Sequence, residues 1–124
     1  MANRKLVWTG RAISLLVSLM FVMSAVMKLV GGPEVEKGMA HFGIPMSMLK
    51  PLGILELTCI VVYLIPATSV LGAILMAGYV GGIILTNWRV GEPVYIPILI
   101  GLLIWLGLYL REDRLKGLIP LRTV

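Results

Sequence analysis

The sequence has one cysteine, Cys59, and one histidine, His41, among 124 residues. A lone cysteine forms no internal disulfide, and without a C-x-x-C pair the chain carries no dithiol redox chemistry of its own. His41 and Cys59 lie far apart in sequence and show no ligand spacing, so no zinc or haem site of the usual kind is expected. Acidic residues are scarce, six in all, and only 14% of residues are charged. Against this, 59% are hydrophobic and the mean hydropathy is +0.99. A soluble domain of this size would expose large apolar patches and aggregate. Aromatic residues make up 7% and do not interleave with the basic ones, which excludes nucleic acid as the partner of the +5 net charge.

What the chain does have is long apolar runs, enough for a single domain over 1–124. A spanning helix needs about 20 mostly apolar residues. Residues 12–30 form the first such run, after Arg4, Lys5 and Arg11 and before the Gly31-Gly32-Pro33 stop. A secretory signal is the competing reading there, but the run is long for one and Lys28 follows it. Residues 51–88 hold a single charge, Glu56. That length suits two spans, 51–65 and 69–88, joined by a turn at Pro66-Ala67-Thr68-Ser69, with Thr68 or Ser69 capping the second. Arg89 to Pro93 make another turn, and 94–110 form the last span. Within a bilayer every backbone group must bond internally, so the spans are helices.

The expected fold is therefore all-α: an integral membrane four-helix bundle with a short interfacial helix between helices one and two. In that connection Val35, Met39 and Phe42 make one apolar face, ended by Gly43 and Pro45. Four spans place both termini on one side. That side carries Arg4, Lys5, Arg11, Arg111, Arg114, Lys116 and Arg122, against Lys28, Lys37, Lys50 and Arg89 on the other. The positive-inside rule then predicts cytoplasmic termini. Small residues recur every four positions in the third span, Ala73-Ala77-Gly81 and Gly78-Gly82. They predict close packing, more readily within the bundle than across a homo-oligomer, which stays open.

Lys28 and Glu56 are the unusual residues. A carboxylate inside a span is expensive unless it is paired or protonated, and pairing with Lys28 accounts for both. Depth along the helices places Lys28, Glu56, Asn87 and Arg89 toward one end, with Ser24 a turn below Lys28 and Cys59 and Tyr63 one and two turns below Glu56. Two cations and one anion would suit an electron-rich head group. Tyr79 is the polar residue expected in the other half of the bundle. A purely structural pair, a snorkelling Lys28 and an interfacial Arg89 are the plainer alternatives. Cys59 and the methionines read as packing or lipid-facing residues.

These residues carry a resemblance. "SAVMKL" at 24–29 looks like an S-small-x-x-K motif on helix one of the DoxX-like family of small four-helix membrane proteins, within the DoxX group. "PLGILELTCIVVYLIPATSVLGAILMAGYVGG" at 51–82 is similar to that family's G-x-x-E-L stretch, I-P-x-T turn and Gly-rich third helix. "TNWRVGEP" at 86–93 resembles its T-H-x-R-x-G-x-P motif, with Asn87 where His is common. Asn cannot shuttle a proton at neutral pH. The resemblance spans about 8–121. It implies roles such as quinone-linked oxidation, thiol and oxidative-stress complexes, or chaperoning of membrane proteins.

The leading expectation is a binding protein for a lipophilic, quinone-like small molecule, held by Lys28, Glu56, Asn87, Arg89, Ser24 and Tyr63 in a bacterial inner membrane. It would work with membrane or redox protein partners, since no cofactor motif is evident. The alternatives are a cofactor-independent isomerase or epoxide-opening enzyme, with Glu56 as general acid or base beside Lys28, and a scaffold whose ion pair is structural.

Overall fold

The structure, a computed structural model, describes residues 4–122, which contain no strand. Five α-helices follow in order: α1 (Arg4–Val30), α2 (Pro33–Phe42), α3 (Leu49–Leu64), α4 (Ser69–Arg89) and α5 (Tyr95–Arg111). Short 3-10 turns precede α3 and α4 and follow α5. Three segments are long and apolar enough to cross a membrane, Arg4–Val30, Met46–Leu64 and Pro66–Arg89; Tyr95–Arg111 is a shorter apolar helix of 17 residues.

α1 starts earlier than the apolar run. Its 27 residues extend about 40 Å at 1.5 Å per residue. Hydropathy marks where lipid begins, whereas the helix continues until something breaks it, and nothing between Arg4 and Ala12 does. Gly31 and Gly32, with φ of 74° and 118°, stop it at the other end. Thr68 and Ser69 do not cap α4 as expected. The Thr68 hydroxyl reaches back 2.8 Å to the Val62 carbonyl and Ser69 donates to Pro66, so both satisfy carbonyls at the end of α3 and in the turn.

α1 packs against α3 and α5, and α4 against the same two helices. Val17, Phe21, Ile60, Met76, Ile104 and Leu108 meet in the core. The close approaches fall at glycines other than those in the repeats. A Cβ on Gly72 would overlap the Tyr63 backbone of α3, and one on Gly10 would lie 2.6 Å from the Gly107 carbonyl of α5. Of the repeat residues, Ala73 is buried. Ala77, Gly78, Gly81 and Gly82 are exposed, and nothing lies within 4 Å of the three glycines' missing side chains. Ala73 makes the predicted bundle contact, whereas Ala77, Gly78, Gly81 and Gly82 mark an outward face of α4.

Candidate functional site

Glu56 is the eighth of sixteen residues in α3, about 10 Å along the axis from Leu49. It is thus midway along the helix, deeper than its distance from Pro51 suggests, and only 1% exposed. The pair expected from the sequence forms: Lys28 Nζ lies 2.9 Å from Glu56 Oε2. Lys28 also donates to Ser24 Oγ at 2.7 Å, and Ser24 donates to the same carboxylate oxygen at 3.4 Å. Ser24 and Lys28 share a face of α1 because they are four residues apart.

Tyr79 supplies the donor that sequence reasoning missed. Its hydroxyl reaches Glu56 Oε2 at 2.6 Å, and its ring meets the edge of Phe21 at 6.0 Å between centroids. Tyr79 was expected away from the charges. The depth signal that could have found it was its position, halfway along a 21-residue helix and so level with the middle of α3. Three donors converge on Oε2, while among the described residues Oε1 is buried with no partner. A charge-assisted hydrogen bond contributes about 2 kcal/mol. Tyr79→Phe is therefore expected to lower stability by about that amount, measured by denaturation of the purified protein.

The remaining candidates lie elsewhere. Tyr63 belongs to a second polar group nearer the chain ends. Its hydroxyl donates to the Ile104 carbonyl at 2.6 Å, and since that uses its only proton, Ser14 donates to it at 2.9 Å. Arg111 caps the end of α3 through the Tyr63 carbonyl at 3.0 Å, with its guanidinium 4.8 Å from the ring centre. That half of the assembly is therefore more polar than expected. Asn87 donates to the Pro93 carbonyl at 3.3 Å, closing the α4–α5 turn. Arg89 donates to the Phe42 carbonyl at the end of α2. No hydrogen bond joins Asn87, Arg89 or Tyr63 to the Glu56 cluster among the described residues. The spare positive charge expected at the site is absent from the pair itself, because Lys28 and Glu56 neutralise each other.

Beside the pair an open groove of about 460 Å3 runs between α1 and α2. Ser24 and Lys28 line it with the thioethers of Met20, Met23, Met27 and Met39, and Glu34 contributes the one other charge. Lys28 has three ammonium protons; Ser24 and Glu56 take two. The third has no hydrogen-bond acceptor among the described residues, and Nζ lies 6.0 Å from the centre of the Tyr79 ring. Glu56 itself stands behind Ser24 and Lys28.

The family model described as the DoxX-like family matches residues 12–107, well over half of the chain. The chain belongs to the DoxX-like family. Together with the apolar helices, this makes it a small membrane protein. The match takes in all four residues of the Lys28–Glu56 cluster, the groove and the α4–α5 turn, and stops short of the C-terminal 3-10 turn. No curated protein and no solved structure matches this DoxX-like chain.

Proposed function

We propose that this DoxX-like protein binds a neutral, lipophilic small molecule with a hydrogen-bond-accepting head, such as a quinone, in the groove between α1 and α2. The observation that carries this reading is the arrangement of Lys28 and Ser24 in the wall of an otherwise methionine-lined groove. The volume lies within the roughly 300–1,000 Å3 of small-molecule sites. Methionine side chains adapt to irregular shapes, and their sulfurs favour the edges of aromatic rings. Charge favours a neutral head. Glu56 cancels Lys28, and Glu34 would repel a phosphate or carboxylate. Lys28 would hold a carbonyl oxygen with its remaining proton. The carboxylate that an acid/base mechanism would use stands behind Lys28 and Ser24, so binding is better supported than catalysis. The protein would do this as a four-helix membrane bundle in a bacterial inner membrane, termini cytoplasmic, with a redox or stress-response partner supplying any electrons.

Mass spectrometry of small molecules extracted from purified protein tests this. Wild type is compared with the Lys28→Met/Glu56→Gln double variant, which removes both charges together and leaves no buried ion unpaired. A discrete lipophilic compound is expected in the wild type and absent from the folded double variant. Identical bulk lipids in both would overturn the binding reading and leave the pair as a packing device.

A further inference from the structure

α2 is held to the rest of the molecule very lightly. It has no buried residue. Val35, Gly38, Met39 and Phe42 are half-buried on one face. Val35, Gly38 and Met39 of that face line the groove opposite Met23 and Met27 of α1. Both of its ends are glycines in left-handed backbone, Gly31 and Gly32 before it and Gly43, with φ of 72°, after it. Nothing lies within 4 Å of the side-chain positions of Gly31 and Gly32, so there is open space on that side of the joint. Two side-chain attachments fasten the opposite end. Arg89 donates to the Phe42 carbonyl, and His41 Nε2 lies 2.8 Å from Glu92 Oε1. Both partners stand at the α4–α5 turn, across the molecule's end from the Gly31-Gly32 joint.

We infer that α2 is a hinged cover for the groove, latched at its C-terminal end by Arg89 and more weakly by the His41–Glu92 pair. Arg89 is the stronger attachment for a physical reason. The Phe42 carbonyl belongs to the last turn of α2, where unpaired carbonyls carry the negative end of the helix dipole, and a guanidinium satisfies both. The guanidinium also occupies the space beside Gly43: a side chain there would begin 3.1 Å from an Arg89 nitrogen. Glycine thus serves both the backbone and the latch. His41 and Glu92 are 53% and 42% exposed, so water and salt weaken their attraction. Rotation about Gly31-Gly32 would carry Val35 and Met39 away from Met23 and Met27. Those two methionines are 67% and 57% exposed on the outer side of α1. The groove, already open on that side, would widen, and a lipophilic molecule could reach Lys28 from the bilayer without passing through water. This use of the cover rests on the binding reading above; the latch itself does not.

Hydrogen exchange of the full chain in lipid nanodiscs, followed by mass spectrometry, tests the latch without any ligand. In Arg89→Gln the amides of residues 36–43 are expected to exchange roughly tenfold faster than in wild type, with α1, α3, α4 and α5 unchanged. Arg89→Lys, which keeps a cation, should fall between the two, and Glu92→Gln should shift the same amides by a few-fold at most. Equal α2 exchange in wild type and Arg89→Gln would overturn the proposal. So would faster exchange spread evenly over all helices, because Arg89 would then hold the whole assembly and not a cover. Extraction of the wild type separates the two ideas. A latch that behaves as stated with no compound recovered defeats the binding reading alone. A recovered compound with α2 indifferent to Arg89 defeats the cover alone.

Discussion

Lys28→Met is expected to destabilise the protein by about 3–5 kcal/mol, the cost of leaving one member of a buried ion pair alone. Glu56 is 1% exposed and Lys28 13%, so water replaces little of what the ammonium provides. Tyr79 and Ser24 would still donate to the carboxylate, but two neutral donors do not balance a full charge in an apolar interior. Adding Glu56→Gln to Lys28→Met should restore most of the loss, since a neutral amide needs no counterion. Unfolding of wild type, both single variants and the double variant in one detergent measures this as a cycle. Additive losses would show that the two residues do not act as a pair.

Gly72→Ala is the second large effect, about 3 kcal/mol destabilising. The added methyl would overlap the N and Cα of Tyr63, which are backbone and cannot rotate away. α3 and α4 would have to separate. That would also disturb Tyr63, whose hydroxyl joins Ser14 of α1 to Ile104 of α5. The comparison is Gly78→Ala, on the same helix with nothing within 4 Å. There alanine only improves helix propensity, a gain of roughly 0.5–1 kcal/mol. Thermal unfolding of the two variants should therefore shift in opposite directions. A similar loss in both would mean that the Gly78 face is packed against something, as in an oligomer.

Much of the helix layout could be read from the chain because its punctuation is strong. Gly31-Gly32-Pro33, Gly43 with Pro45, Pro66 and Gly91 with Pro93 each interrupt a helix where backbone chemistry demands it. The Lys28–Glu56 contact was legible for a related reason. Each is the only charge in a long apolar stretch, and an apolar medium forces such charges together. Arg89 and Asn87 were harder. At a helix end near water several partners are available at similar cost, and here backbone carbonyls of Phe42 and Pro93 take them. Tyr63 stands one turn past Cys59 on α3, yet its hydroxyl points into a separate polar group.

From the residues alone follow a helical chain, helices that suit a membrane, the places where most of them stop, and the meeting of two charges. Which face of each helix turns inward is visible only once the helices are packed together. In water a polar stripe would have marked the outer face, but lipid is as apolar as a protein core, so leucines and valines lie on both faces and give no direction. Rotation of α3 and α4 about their own axes is set instead by steric fit at Gly72 against Tyr63. That fit puts Tyr79 on Glu56 and turns the Gly78–Gly82 face away. The groove beside Lys28 likewise depends on where α2 comes to rest, and the contacts at its far end are made across the chain, by Arg89, forty-seven positions after Phe42, and by Glu92 with His41.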